Sequence, residues 1–146
     1  MSWREWIRPT RSVQAHCDIP CGVYDPEQAR IEAESCLKII EKYHDSKDEV
    51  FRQRCIVVKE ERAELAKHHI DVLWSDYYKP PKHDAQFPKI KDVFNEAVKG
   101  CSKVKQGVNR DDAVQLLQLI DEIDDFWKKS NGPQETRVKR PVAAAR

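Results

Sequence analysis

Two cysteines, a histidine and two prolines fall within one short stretch, HCDIPCGVYDP, at positions 16 to 26. Cys17 and Cys21 offer soft thiolate donors and His16 adds an imidazole, so the stretch has the chemistry to bind a metal ion. Structural zinc sites normally take four side-chain ligands from two paired clusters. No second pair of cysteines or spaced histidines follows in the sequence. The stretch therefore predicts a metal site of another type.

The remaining donors can come from the backbone if His16 is the first residue of the mature chain. Its α-amino group, the deprotonated amide nitrogen of Cys17 and the thiolates of Cys17 and Cys21 then form a planar set of nitrogen and sulfur donors. Such a set suits Ni(II) or Cu(II). These ligands must lose protons to bind, so metal binding is expected to depend on pH and to order the loop.

Residues 1–15 resemble nothing that follows them in the chain. They carry Trp3, Trp6 and three arginines, without the apolar core of a secretory signal. Val13 and Ala15 place modest side chains at the third and first positions before His16, as a peptidase site would. Composition alone is typical of a loose N-terminus. The alternative is a leader that a peptidase removes after Ala15.

The composition is that of a soluble, helix-rich domain: 146 residues, 40% of them hydrophobic and 35% charged, with only 4 glycines. A net charge of +1 argues against nucleic acid or a membrane surface as a partner. No apolar run approaches the roughly 20 residues that cross a bilayer. Cys36, Cys55 and Cys101 lie singly in helical patterns, which predicts buried free thiols and a reducing, cytoplasmic location.

The remaining chain predicts an all-α fold, an antiparallel four-helix bundle. The first helix begins at Asp25 and Pro26 and fades near position 45, and the second covers about 48–76. The third runs from about 88 to 105 and the fourth from Asn109 to about 130. The second helix has one long stripe, whose members are Phe51, Cys55, Val58, Arg62, Leu65, Ile70 and Leu73. The predicted organisation is a leader (1–15), a metal-binding hook (16–26), the bundle (27–130) and a basic mobile tail (131–146).

The stretch 16–26 resembles the nickel hook of nickel-containing superoxide dismutases. The resemblance continues through QARIEAES (28–35), KEERAELAKHH (59–69) and LWSDYYKPP (73–81), and it covers nearly all of 16–129. Ile19 is a conservative departure, because family members commonly carry leucine there. The family is made as a precursor whose cleavage exposes the histidine amine, in agreement with a short leader.

The resemblance implies a ligand set for nickel, with one ion per subunit. The amine of His16, the amide nitrogen and thiolate of Cys17 and the thiolate of Cys21 would hold the ion. The His16 imidazole would bind as an axial ligand in the oxidised state. Glu32 and Arg62 would orient that imidazole, which would explain why Arg62 interrupts an apolar stripe; the plainer interpretation is an ordinary salt bridge between helices.

The pocket above the metal would be lined by three further side chains, namely Asp18, Tyr24 and Tyr77. Without the resemblance, Tyr77 would be taken as a half-buried aromatic residue of the bundle. The implied activity is the conversion of superoxide to oxygen and hydrogen peroxide by Ni(II)/Ni(III) cycling. The implied partners are superoxide as substrate, a leader-processing peptidase and other copies of the chain in a homohexamer, without nucleic acid or membrane.

Two other interpretations of the hook stay open at this point. One is a nickel or copper carrier that uses the same ligands without turnover. The other is a regulatory protein in which Cys17 and Cys21 form a redox-sensing dithiol and the leader is retained.

Overall fold

The computed structural model describes residues 23–130, and five helices follow one another within this range. They are α1 (Glu27–Asp45), α2 (Glu49–Val72), α3 (Pro80–Gln86), α4 (Ile90–Gln106) and α5 (Arg110–Lys129). No strand occurs among these residues, and none of their helices is both long and apolar enough to cross a membrane. The predicted leader, residues 16–22 of the hook and the tail lie outside the described residues.

The four long helices form a ring in which each packs on its neighbours in the chain. Helix α1 packs on α2, α2 on α4, α4 on α5, and α5 closes the ring on α1. Residues from all four helices meet in one buried core, with Ile40, Ile70, Phe94 and Leu116 among its members. The predicted all-α, antiparallel four-helix bundle is therefore confirmed.

Polar side chains begin three of the helices. Asp25 Oδ1 accepts a hydrogen bond from the N–H of Glu27 at 2.7 Å, Asp48 Oδ1 accepts from Val50, and Asn109 Oδ1 accepts from Asp111. Each bond satisfies an N–H that has no partner inside its helix. The predicted beginnings of the first and last long helices are confirmed, whereas α4 begins at Ile90 rather than at 88.

The end of α2 differs from a plain helix stop. Residues Leu73–Tyr77 continue it as a π-helical turn, closed by the N–H of Tyr78 on the carbonyl of Leu73 at 2.9 Å. After it, Pro80 and Pro81 begin α3, which the sequence analysis missed. Proline ends a preceding helix but is favoured in the first turn of a new one, where its missing N–H costs nothing.

Only part of the predicted stripe of α2 is buried. Cys55, Ile70 and Leu73 are buried as predicted, whereas Phe51, Val58 and Leu65 are 40%, 39% and 36% exposed. Between Cys55 and Ile70 the buried positions are instead Lys59, Ala63 and Ala66, each one position after the predicted residue. The charged residue on the buried face is thus Lys59, and Arg62 lies between the exposed residues Val58 and Leu65.

Lys59 is held by the C-terminal end of α4. Its side chain is 2% exposed, and Nζ donates to the carbonyl oxygens of Val104 and Lys105 at 2.7 Å and of Gly107 at 2.6 Å. The last carbonyls of a helix have no partner within it and carry partial negative charge. The ammonium group therefore replaces three missing donors and joins α2 to α4.

We expect Lys59→Met to lower the free energy of unfolding by roughly 2–4 kcal/mol, because methionine keeps the apolar stem but leaves buried carbonyls without a donor. Urea denaturation of both proteins measures the difference. Lys103→Met, at an exposed position of the same helix end, is the matched control and should change stability by no more than about 0.5 kcal/mol. Equal stabilities of the two variants would contradict this role of Lys59.

Candidate metal centre

An ion pair between α1 and α2 brings together two of the predicted site residues. Arg62 Nη1 donates to Glu32 Oε2 at 3.2 Å, and the Glu32 side chain is only 15% exposed. Arg62 Nε is buried and has no hydrogen-bond partner among the described residues. A buried donor without an acceptor is costly, so Arg62 keeps the capacity to donate one further hydrogen bond.

The register of α1 against α2 explains how the two side chains meet. The Cys36 thiol contacts the carbonyl of Lys59 at 3.5 Å, and Arg52 Nη2 donates to the hydroxyl of Tyr43 at 2.7 Å. Tyr43 lies seven positions after Cys36 in α1, and Arg52 lies seven positions before Lys59 in α2, so the two helices run antiparallel. Glu32 and Arg62 lie one turn beyond Cys36 and Lys59 in this register.

Two tyrosines meet where the chain enters α1. Tyr24 precedes α1 and Tyr77 lies in the π-helical turn after α2. Their ring centroids are 5.7 Å apart, with the rings inclined at 55°. Both side chains are partly buried against the core. The structure therefore brings together Tyr24 and Tyr77, two of the residues that the sequence predicted at the site.

Tyr77 also contacts residues at the end of α5 and in α3. Its hydroxyl oxygen lies 2.7 Å from Ser130 Oγ, and its ring stacks on the imidazole of His83 at 5.7 Å and 30°. Ser130 was not predicted as a site residue, since nothing in its neighbourhood in the sequence marks it. His83 lies in α3, the helix that the two prolines concealed in the sequence.

His83 is a buried imidazole with one fixed tautomer. Its side chain is 3% exposed, and Nδ1 accepts the N–H of Lys79 at 3.0 Å, so the ring proton of the neutral form lies on Nε2. Burial lowers the pKa of His83 below its ordinary value of 6.5. Next to it, burial and a hydrogen bond to the Asp84 carboxylate raise the pKa of Tyr78 to about 12.

The other cysteines contribute packing rather than ligands. Cys36, Cys55 and Cys101 are free and buried, and burial raises the thiol pKa of Cys36 and Cys101 to about 12. A cysteine binds a metal ion as its thiolate, not as its thiol. No group of three or more histidine, cysteine or acidic side chains in residues 23–130 is placed to hold a metal ion. The predicted ligands His16, Cys17 and Cys21 lie outside the described residues, as does Asp18.

Comparison with known proteins shows which family this chain resembles. The family model for nickel-containing superoxide dismutase matches residues 11–131, a range that includes the whole hook. The superoxide dismutase [Ni] of Streptomyces seoulensis is 52% identical over 121 residues, which cover 82% of this chain and 92% of the relative. The enzyme of Streptomyces coelicolor is 48% identical over the same length and the same shares of the two chains.

Solved structures lead to the same class. A crystal structure of a Ni-containing superoxide dismutase after partial X-ray-induced reduction has a TM-score of 0.75 and 50% identity, and the match covers 79% of this chain and 97% of that one. The native nickel superoxide dismutase structure has a TM-score of 0.75, 46% identity and the same coverage. The fold and the hook sequence thus define a helical-bundle metalloprotein. The chain belongs to the nickel-containing superoxide dismutase family.

The buried imidazole predicts an acid-sensitive fold. The pKa of His83 is lower in the folded chain than in the unfolded chain, so the unfolded state binds more protons below pH 6.5. This contribution to stability is present above pH 6.5 and is lost as the pH falls towards the lower, folded-state pKa. In His83→Phe, the free energy of unfolding should fall less steeply between pH 6.5 and 5. The loss of stability over this range should be smaller by up to about 1.4 kcal/mol for each unit by which folding lowers the His83 pKa.

Urea denaturation at a series of pH values checks the slope. His68→Phe replaces an exposed histidine on α2 and should keep the slope of the unaltered protein. An unchanged slope in His83→Phe would show that folding does not lower the pKa of this imidazole.

Proposed function

We propose that this protein is a nickel-dependent superoxide dismutase, which converts superoxide to oxygen and hydrogen peroxide. The observation that carries the proposal is the sequence His16–Cys17–Asp18–Ile19–Pro20–Cys21, which lies within the family match and directly precedes a bundle of the family's fold. Superoxide is the substrate. The carrier and redox-sensor interpretations explain the hook alone but not the extent of the match along the bundle.

The hook supplies the ligands in this proposal. His16 would hold one nickel ion per subunit through its α-amino group and imidazole, Cys17 through its amide nitrogen and thiolate, and Cys21 through its thiolate. When bound, nickel supplies the one-electron chemistry of both half-reactions by alternating between its divalent and trivalent states. The anionic sulfur and amidate donors of the chain are what make the higher oxidation state accessible.

Glu32 and Arg62 orient the His16 imidazole in this proposal. Metal-bound histidines usually donate their second ring N–H to a carboxylate, and Glu32 retains acceptor capacity beyond its bond to Arg62. Arg62 fixes the carboxylate from α2 at 3.2 Å. The unpartnered Nε of Arg62 supports the approach of a further group to this position.

Tyr24 and Tyr77 restrict access to the pocket above the metal in this proposal, together with Asp18. Their rings, 5.7 Å apart, leave no room for a large ligand between them. Restricted access suits the substrate, because superoxide is diatomic. It also protects thiolates, which oxidise readily beside hydrogen peroxide.

A peptidase would cleave the bond between Ala15 and His16 in this proposal, since only cleavage creates the amine ligand. A cytoplasmic location belongs to the same proposal. It is supported by the three buried cysteines of the described range, all of which are free thiols; such thiols are typical of reducing compartments.

A homohexamer is the assembly we propose. Apolar side chains are exposed along the outer side of α2 and on α1 beside Glu32: Ile31, Val50, Phe51, Val57, Val58 and Leu65. Val58 and Leu65 flank Arg62 at distances of one helical turn. A group of exposed apolar side chains on one side of a helix is typical of a protein interface. A neighbouring copy would cover it and exclude water from the ion pair.

The decisive experiment compares two forms of the chain. We expect the chain that begins at His16 to bind one nickel ion and to turn over superoxide near the diffusional limit, about 10⁹ M⁻¹s⁻¹. The uncleaved chain should do neither, because its His16 nitrogen is part of a peptide bond. Metal analysis and pulse radiolysis measure both properties. Nickel binding without turnover by the trimmed chain would favour a carrier, and turnover by the uncleaved chain would refute the amine ligand.

Cysteine variants of the trimmed chain provide the matched controls for that experiment. Cys17→Ser and Cys21→Ser should each lose nickel and activity, because an alcohol is a far poorer nickel ligand than a thiolate. Cys55→Ala, which replaces a buried cysteine of α2, should keep both. Activity retained in either serine variant would refute the ligand assignment.

The assembly can be tested independently of the metal. We expect Val58→Asp and Leu65→Asp to shift the mass of the particle from six copies to fewer, because each places a charge in an apolar interface. Sedimentation equilibrium measures the mass. Lys91→Asp, at an exposed position of α4, should leave it unchanged. Six copies in all three variants would place the interface elsewhere.

A further inference from the structure

Ser130 is a buried hydroxyl at the point where α5 ends. Its side chain is 5% exposed, and its N–H closes the helix on the carbonyl of Phe126 at 2.9 Å. Its Oγ lies 3.3 Å from the carbonyl oxygen of Trp127 and 2.7 Å from the hydroxyl oxygen of Tyr77. The serine therefore links the end of α5 to the π-helical turn after α2, 53 positions away in the chain.

The distances in this group indicate which way Tyr77 donates. Serine and tyrosine each have one hydroxyl proton, and the Trp127 carbonyl can only accept. With the Ser130 proton on Trp127, the Tyr77 O–H donates to Ser130 at 2.7 Å. In the reverse direction the Tyr77 O–H would have only the Trp127 carbonyl on this side, at 3.5 Å, which is too long for a strong hydrogen bond. The first arrangement therefore has the shorter bonds, and it directs the phenolic proton towards α5.

We propose that Ser130 is a positioning residue that directs the phenolic proton of Tyr77 into the bundle, so that Tyr77 presents an acceptor and not a donor on the side of Tyr24. This rests on the proposed function, in which Tyr77 lines the pocket. Superoxide is an anion that only accepts hydrogen bonds, whereas hydrogen peroxide can donate them. Without a donor from Tyr77 the pocket wall holds superoxide and other small anions less tightly, so Ser130 contributes to the selectivity of the site.

Ultraviolet resonance Raman spectroscopy of the uncleaved full chain tests the bond without nickel, because the tyrosine doublet reports whether the phenol donates or accepts. The difference spectrum between the unaltered protein and Tyr77→Phe isolates Tyr77 from the other three tyrosines. We expect a donor signature that is lost in Ser130→Ala and retained in Ser130→Thr, which keeps the hydroxyl. An unchanged signature in Ser130→Ala would overturn the proposal.

Inhibition by azide tests the consequence in the nickel-loaded chain that begins at His16. Ser130→Ala frees the Tyr77 proton to bind the anion, so its inhibition constant should fall about tenfold, which corresponds to about 1.4 kcal/mol. The inhibition constant of azide for Ser130→Thr should equal that of the unaltered enzyme. In a Tyr77→Phe background, Ser130→Ala should leave this constant unchanged. Equal inhibition of Ser130→Ala and the unaltered enzyme would overturn the effect on selectivity.

The two measurements separate the two proposals. Lack of superoxide turnover by the unaltered, nickel-loaded chain would refute the proposed function, while the Raman spectra would still decide whether Ser130 directs the Tyr77 proton.

Discussion

Alanines occupy the buried face between α1 and α2, and both parts of the candidate site depend on the contact that they permit. Ala29, Ala33, Ala63 and Ala66 are at most 1% exposed. Small side chains let two helix backbones approach closely, and close approach fixes their register. In that register Glu32 and Arg62 face each other. Tyr24, which precedes α1, lies beside Tyr77 in the turn after α2. A larger side chain at any of these positions would separate the helices and the ion pair with them.

The two ends of the bundle are held in different ways. At one end, Lys59 joins α2 to the last carbonyls of α4, and Arg52 donates to Tyr43 across α1 and α2. At the other end, aromatic rings from the π-helical turn, α3 and α5 surround His83, and Phe126 packs edge-on against it at 5.1 Å. The candidate site lies along α1 towards this aromatic end.

The aromatic end shows why irregular backbone occurs where it does. A π-helical turn widens the helix by one residue and rotates the side chains that follow it. Here the π-helical turn places the ring of Tyr77 against Tyr24, and Tyr78 is buried beside His83. The short helix α3, which begins at Pro80, then returns the chain to α4. The irregular segment thus places one tyrosine towards the proposed pocket and its neighbour in the core.

The sequence by itself determined those features that depend on residues close together in the chain. The donors of the hook lie within six positions, so their types and spacing predict a metal site without knowledge of the fold, and the resemblance to a known family implies that the metal is nickel. The capping residues Asp25 and Asn109 likewise predicted where α1 and α5 begin. Helical periodicity predicted the four long helices, because a buried face repeats every turn.

Only the tertiary structure decided which face of α2 is buried and which distant groups meet. Periodicity cannot distinguish the face with Phe51 and Val58 from the face with Lys59, because a lysine is buried only where the carbonyls of another helix receive it. The bond between Tyr77 and Ser130 had no local signal for the same reason. Such contacts join residues that are distant in sequence, and the packing of the whole bundle selects them.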